Sequence, residues 1–214
     1  MKGAALLLTL SAALGCDGFV GEATMKTPAL ARPKVTALER ARDVLARRRS
    51  DGVIGNIPLA GFNFDREMEI GDGLHVIVIS CNLEGGLAVF RRDGTALATQ
   101  RTKEITAVQL VDLDEDGVSE VVTEEIDGRG TGVLEKTFRV YRIDGSGVQE
   151  LWSGESYVRH APDEQHVEET VGFIRFDASG AGKNARLTHV LIDPSHHERI
   201  MTFEWTDGHL VKTY

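Results

Sequence analysis

From residue 53 onward the chain consists of short apolar alternations separated by glycine and aspartate, and this pattern restricts the fold more than any other feature. A period of two is typical of half-buried strands, and turn residues between such runs separate one strand from the next. The sequence therefore predicts an all-β domain over residues 53–214, an antiparallel meander of the sandwich, barrel or propeller type. The predicted strands are Leu74–Cys81, Leu87–Arg91, Ala96–Gln100, Ala107–Leu113, Glu120–Glu125, Thr137–Ile143, Gln149–Ser153, Glu169–Phe176, Leu187–Ile192, Ile200–Trp205 and Leu210–Tyr214.

A weak internal repeat accompanies the strands. Residues 89–94, 140–145 and 203–208 each place apolar residues before Asp-Gly, and another predicted strand follows. Asp-Gly between alternating strands is a strong hairpin signal. The spacings of 51 and 63 residues are compatible with propeller blades that carry insertions. Because closed propellers usually have at least four blades, the repeat predicts a propeller-like or partial propeller of about three units, unless the likeness is one of hairpins alone.

The most specific motif is the acidic run DLDEDGVSE at residues 112–120. Alternating carboxylates converge when the chain coils into a tight loop, and a glycine permits the positive φ that such a loop requires. Oxygen ligands of this kind suit Ca²⁺, whereas without a cation the carboxylates repel one another. The candidate ligands are Asp112, Asp114, Asp116, Glu120 and the carbonyl of Val118, with Gly117 at the turn.

The flanks of this run do not fit an EF-hand, because position twelve of the loop is Thr123 and both neighbouring segments read as strands. The motif instead resembles the DxDxDGxxD/E loops of FG-GAP and VCBS repeats, which occur in integrin-like β-propellers and many exported bacterial proteins. The resemblance covers residues 105–145 well and the rest of 70–214 loosely. It implies that the five candidate ligands bind calcium in a structural role. The alternative is a solvated acidic turn, and the other two repeat units retain at most Asp177.

The N-terminus reads as an export signal. A positively charged start precedes an apolar run over residues 4–14, which is too short to span a bilayer. Residues 13–16, Ala-Leu-Gly-Cys, resemble the lipobox of bacterial lipoproteins, although leucine is more usual at position 13. That resemblance implies removal of residues 1–15 and acylation of Cys16, and hence a lipid-anchored protein of the bacterial cell envelope. The alternative is an ordinary signal peptide cut elsewhere.

Residues 16–33 contain small and polar residues with two prolines, which predicts a flexible tether. Residues 34–50 form a predicted basic helix with a narrow apolar face and Thr36 as its cap. The helix is expected to pack on the domain or to be solvated, rather than to lie on a membrane. Its apolar positions are Val35, Leu38, Ala41 and Leu45.

Charge separates the stem from the domain. Residues 17–50 carry a net charge of +4, and residues 51–214 carry a net charge of −14. With Lys2 of the predicted signal peptide, these give the net charge of −9 for the whole chain. A basic stem suits an anionic membrane surface, and the acidic domain argues against nucleic acid as a partner. Asp17, directly after Cys16, resembles an inner-membrane retention signal. The location is therefore the periplasmic face of the inner membrane, or the outer membrane and cell surface.

Catalytic signals are weak. Cys81 lies in a buried-strand pattern and is predicted to be a core thiol, and no zinc-protease or nucleophile-elbow motif is present. Residues 127–132 are glycine-rich but predict only a mobile strand connection. We therefore expect a binding or scaffolding module with an unknown protein or glycan partner. The alternatives are an assembly subunit with an open sheet edge, and an exported metal-dependent hydrolase that would use His160, His189, His196 or His197.

Overall fold

The fold is mostly β. The computed structural model describes residues 34–47, 54–163, 165–177 and 185–213. Within these ranges one α-helix and two single-turn 3₁₀ helices, Ile54–Asn56 and Leu59–Gly61, accompany twelve strands. The elements are α1 (Val35–Ala46), β1 (Phe64–Gly71), β2 (Leu74–Cys81), β3 (Glu84–Arg91), β4 (Ala96–Thr102), β5 (Glu104–Val111), β6 (Glu120–Gly130), β7 (Val133–Asp144), β8 (Gly147–His160), β9 (Glu168–Asp177), β10 (Arg186–Ile192), β11 (Glu198–Thr206) and β12 (His209–Lys212).

The strands form two antiparallel meanders in which each strand pairs with its neighbour in sequence. The first sheet has the order β1-β2-β3-β4, and the second runs from β5 to β12 in order. Antiparallel pairing throughout confirms the all-β, meandering prediction. No helix in the described ranges has the length and apolarity that crossing a bilayer requires. The predicted signal peptide and tether, residues 1–33, lie outside the described residues, as do residues 48–53.

The first sheet is covered on both faces. Val76 and Val78 of β2 point to one face and pack against residues of β5 and β6, such as Leu110 and Val121. The intervening Ile77 and Ile79 belong to a separate cluster with α1. A strand buried on both faces needs apolar residues at nearly every position, which explains the continuous apolar run of β2.

Helix α1 packs on the outer face of the first sheet. Leu38, Ala41 and Leu45 are buried against the sheet, so the prediction of a packed helix is confirmed. Val35 is 64% exposed and does not belong to the buried face. The predicted cap is wrong: the N-cap is Lys34, without a side-chain hydrogen bond, because the helix begins at Val35 and Thr36 is already inside its first turn.

The second sheet bends back on itself. Val122 and Phe138, from β6 and β7, share a buried cluster with Leu187 and Trp205, from β10 and β11. Strands β8 and β9 pair only from Tyr157 to His160, at the bend. The structure is therefore layered, with α1 on β1–β4, then β5–β8, then β9–β12.

The three repeated Asp-Gly segments occupy equivalent places in this order. Asp93-Gly94 lies in the turn between β3 and β4, Asp144-Gly145 between β7 and β8, and Asp207-Gly208 between β11 and β12. Each turn thus joins the third and fourth strands of a group of four. The sequence repeat consequently corresponds to a repeat of strand order.

Besides shifts of a few residues at several strand ends, three parts of the strand assignment differ from prediction. Strand β1 was not expected, because in its sequence DREMEI only Met68 and Ile70 are buried and the alternation is mostly charged. Residues 127–132 are not a loose connection, since β6 continues to Gly130 and pairs with β7 across a tight turn. Residues 157–160, which no predicted strand included, form the end of β8.

We expect Leu45→Ala to lower the free energy of unfolding by about 2–5 kcal/mol, because the side chain is fully buried and its loss leaves a cavity between α1 and the sheet. Val35→Ala, in the same helix but exposed, is the matched control and should change stability by less than about 0.5 kcal/mol. Urea unfolding measures both. Equal effects of the two substitutions would show that α1 does not pack as described.

Candidate metal centre

The acidic motif forms the loop between β5 and β6. Val111 and Glu120, at the two ends of the loop, are register partners in the sheet, so the intervening residues form a closed excursion. Leu113 anchors this excursion, because its side chain is 1% exposed within the cluster shared by both halves of the second sheet. Glu115 and Gly117 take positive φ values of 58° and 86°, which turn the chain back on itself. The coiled loop predicted from the sequence is therefore present.

The loop brings three aspartates together. One carboxylate oxygen from each of Asp112, Asp114 and Asp116 lies within 4.8 Å of the other two. Among the described His, Cys, Asp and Glu side chains, this is the one group of three or more with such spacing. Oxygens at these separations can share a single cation.

Hydrogen bonds fix the loop but leave part of this oxygen set unused. The amide of Gly117 donates to Asp112 Oδ2 at 3.1 Å, and the amide of Val118 donates to Asp116 Oδ1 at 2.7 Å. Asp112 Oδ1 and Asp114 Oδ1 are buried atoms without a hydrogen-bond partner among the described residues. Because a buried acceptor without a partner is costly, these two oxygens are the atoms that a ligand would satisfy.

Glu120 and Val118 lie beside the three aspartates rather than within their group. Glu120 is 2% exposed, and its Oε2 accepts a hydrogen bond from the amide of Leu113 at 2.9 Å. Val118 and Glu120 line a cleft of about 230 Å³ together with Asp116 and Asp72. The structure thus brings three of the five predicted ligands to ligand spacing, and Val118 and Glu120 share a cleft with one of these three, Asp116.

One positively charged side chain, that of Arg142, faces the loop. Arg142 Nη2 lies 3.1 Å from Asp114 Oδ2 and 3.4 Å from Asp116 Oδ2. The guanidinium carbon also stands 5.3 Å from the ring centroid of Trp205, in the last group of strands. A single guanidinium balances one of the five carboxylates between positions 112 and 120. The loop therefore keeps a large negative charge.

The pKa values reflect this crowding. Burial, followed by the charges of Asp116 and Asp114, raises the pKa of Asp112 above its ordinary range. Burial, with the charge of Asp114, raises the pKa of Glu120 to about 7. Both carboxylates are ionised at the expense of folding free energy unless a positive charge offsets their burial.

The loop is docked on the turn between β1 and β2, a contact that the sequence did not indicate. The amide of Ser119 donates to the carbonyl of Ile70 at 2.6 Å. A Cβ on Gly71, whose φ is +110°, would stand 2.0 Å from the carbonyl oxygen of Gly117. Glycine is therefore required at position 71, and the GDG sequence of the turn was the available signal. Arg142 was also missed, although it lies in one of the three repeated segments.

The other candidate side chains do not build a second centre in the described part of the chain. His189 is buried and its Nε2 lies 2.7 Å from the carbonyl oxygen of Glu155, while burial lowers its pKa. His160, His196 and His197 are exposed and join no group with metal spacing. Cys81 is buried, which raises the pKa of its thiol and confirms the predicted core thiol.

Comparisons with protein-family models, with curated proteins and with solved structures found no match to this chain.

Without metal, Glu120 should make stability fall as pH rises. The folded-state pKa of about 7 exceeds the ordinary value of 4.5, so the protonated form is favoured by folding. The full stability is present below pH 4.5 and is lost as pH rises through 7, a change on the order of 3 kcal/mol. Glu120→Gln keeps the acceptor for Leu113 but cannot ionise, and should remove most of this pH dependence. Unfolding free energies at several pH values, in chelator, measure the effect; parallel pH profiles for the two proteins would contradict it.

Proposed function

We propose that this chain is a lipid-anchored bacterial envelope protein whose β domain binds one Ca²⁺ in the 112–120 loop and acts as a binding or scaffolding module. The observation that carries the calcium proposal is the group of three aspartate oxygens, two of whose carboxylates keep a buried oxygen without a partner. The anchor is inferred from residues 13–16 of the sequence.

The donor set fits a hard divalent cation. All candidate ligands are oxygens, with no nitrogen or sulfur among them, which is the preference of Ca²⁺ rather than of zinc. Asp112, Asp114 and Asp116 would hold the ion, and Glu120 and the Val118 carbonyl, from residues that line the cleft beside Asp116, would complete the site. A bound divalent cation would offset the charge that Arg142 leaves unbalanced.

The position of the loop favours a structural role for this ion. The loop joins two strands of the second sheet and also contacts the β1–β2 turn of the first sheet through Ser119 and Ile70. An ion here would hold the two sheets in one arrangement. We find no nucleophile and base placed together beside it among the described residues, which favours binding over catalysis.

The domain is proposed to be a three-unit, propeller-like array. Each group of four strands is a meander with the Asp-Gly turn between its third and fourth strands. The acidic loop joins the first and second strands of the middle group. In the first group the corresponding connection is the tight turn at Asp72-Gly73, and in the third it begins after Asp177, beyond which residues 178–184 lie outside the described part.

A second candidate is a subunit of an envelope assembly. The outer face of the last group exposes Ile200 by 58% and Val211 by 48%, and β12 ends the second sheet without a further strand in the described ranges. Apolar residues on an open sheet are typical of surfaces that bind another chain. The first sheet differs, because α1 covers its outer face.

Calcium should stabilise the domain. At a hundredfold excess over the dissociation constant, one bound ion contributes about 2.7 kcal/mol, which for a domain of this size raises Tm by roughly 5–10 °C. Asp114→Asn should abolish the shift, while Asp207→Asn, in an exposed hairpin turn that asparagine also suits, should retain it. Differential scanning calorimetry with calcium and with chelator measures both variants.

Arg142→Gln should change calcium affinity in the opposite direction to Asp114→Asn. Removal of the guanidinium that faces Asp114 and Asp116 should tighten calcium binding severalfold, because a competing cation is lost. Isothermal titration gives the dissociation constants. A Tm that ignores calcium in the unsubstituted protein, or a shift that survives Asp114→Asn, would refute the site.

Cys16→Ser should move the protein from the membrane fraction to the soluble envelope fraction, since stable attachment needs acyl chains at this residue. Mass spectrometry of the mature N-terminus should find a diacylated or triacylated cysteine. An N-terminus at another residue, or an unmodified Cys16, would contradict the anchor without affecting the calcium proposal.

A further inference from the structure

A second charged feature lies away from the acidic loop, between the first turns of α1 and the outer face of the first sheet. It is a cleft of about 240 Å³. Three arginines line it, Arg40 from α1 and Arg91 and Arg92 from the end of β3 and its turn. The other lining residues are Ala37, Glu67, His75, Ile77, Phe90 and Gly94. We call this site the arginine cleft.

The three arginines differ from most others in the described part of the chain. Nine arginines there have a carboxylate within 4.0 Å, whereas Arg40, Arg91 and Arg92 have none among the described residues. Arg40 Nη1 donates to the carbonyl of Gly94 at 3.4 Å, a contact that keeps its guanidinium at the cleft. In a domain with a large negative charge, three arginines at one cleft with no carboxylate within 4.0 Å in the described ranges mark a site for an anion.

The shape of the cleft narrows the ligand. Guanidinium groups present forked donors that match the oxygens of phosphate, and Arg40 and Arg92 together carry more charge than the single carboxylate in the wall, Glu67. Ile77 and Phe90 supply an apolar floor, which suits the carbon part of a phosphate ester. We propose that the arginine cleft binds the phosphate group of an anionic phosphate ester. This proposal does not depend on the calcium loop.

A phosphate group can reach the cleft from two sources, an anionic phospholipid headgroup or a small phosphorylated solute. The cleft begins at Ala37, close to the point where the chain enters α1. Residues 17–34 between Cys16 and the helix span at most about 60 Å when fully extended, so a headgroup at the membrane of the anchor lies within reach. The experiment has one arm for each source.

The test uses the full chain with Cys16→Ser, so that no acyl group contributes to membrane binding. Inorganic phosphate and glycerol phosphate are titrated by calorimetry at low salt. Vesicles of phosphatidylglycerol mixed with phosphatidylcholine are compared with pure phosphatidylcholine in co-sedimentation. Saturable binding in the first arm identifies a soluble phosphate, and binding to the phosphatidylglycerol vesicles alone identifies a headgroup; either supports the cleft if it depends on the arginines.

Variants assign the binding to the cleft. Arg40→Gln and Arg92→Gln should each weaken binding by about tenfold, because each removes a guanidinium that can make charge-assisted hydrogen bonds in the cleft. Arg199→Gln is the matched control, since Arg199 is exposed, has no carboxylate within 4.0 Å among the described residues and lies on β11 away from the cleft. Glu67→Gln should strengthen binding, an effect that mere structural disturbance would not produce.

The proposal is overturned if the protein with all its arginines intact binds neither the soluble phosphates nor the phosphatidylglycerol vesicles. It is equally overturned if Arg199→Gln weakens binding as much as Arg40→Gln, because the effect would then be one of net charge. The melting temperature of each variant checks its folding. Because the substituted arginines are exposed, their replacement is expected to leave the melting temperature unchanged.

Discussion

Repulsion among the carboxylates of the β5–β6 loop is the constraint on which the rest of this account depends. Asp112, Asp114 and Asp116 are held with oxygens within 4.8 Å by a loop whose ends are paired strands and whose middle is anchored by Leu113. Arg142 offsets only part of their charge, so a bound cation would lower the repulsion among them.

The loop also lies where the layers of the domain meet. It contacts the β1–β2 turn through Ser119 and Gly117, and Arg142 connects it to Trp205 in the last group of strands. Charge in the loop is therefore linked to the packing of all three groups. This is the physical reason for preferring a structural ion to a catalytic one.

Much of this arrangement followed from local patterns. Period-two alternation and Asp-Gly turns predicted eleven of the twelve strands in the described ranges, since both signals depend on neighbouring residues. Strand β1 was missed because its exposed positions are charged and only Met68 and Ile70 face the core. The spacing of the acidic run predicted its coiling for the same local reason.

The features that the sequence did not predict depend on contacts between residues that are distant in the chain. The residues next to Arg142 in the sequence do not indicate that Arg142 faces Asp114. Likewise, the residues next to Gly71 do not indicate that the carbonyl of Gly117 approaches Gly71. The arginine cleft is similar, because Arg40 and Arg91 belong to elements that only tertiary packing brings together. The order of the twelve strands, with a second sheet that bends on itself, likewise required the structure.

Elemental analysis of the purified protein measures whether one divalent ion occupies the loop. Protein prepared without chelator and dialysed against metal-free buffer should retain about one calcium per chain by plasma mass spectrometry, and the Asp112→Asn protein should retain none. A preparation that holds no calcium, or one whose calcium content is unchanged by that substitution, would contradict the account.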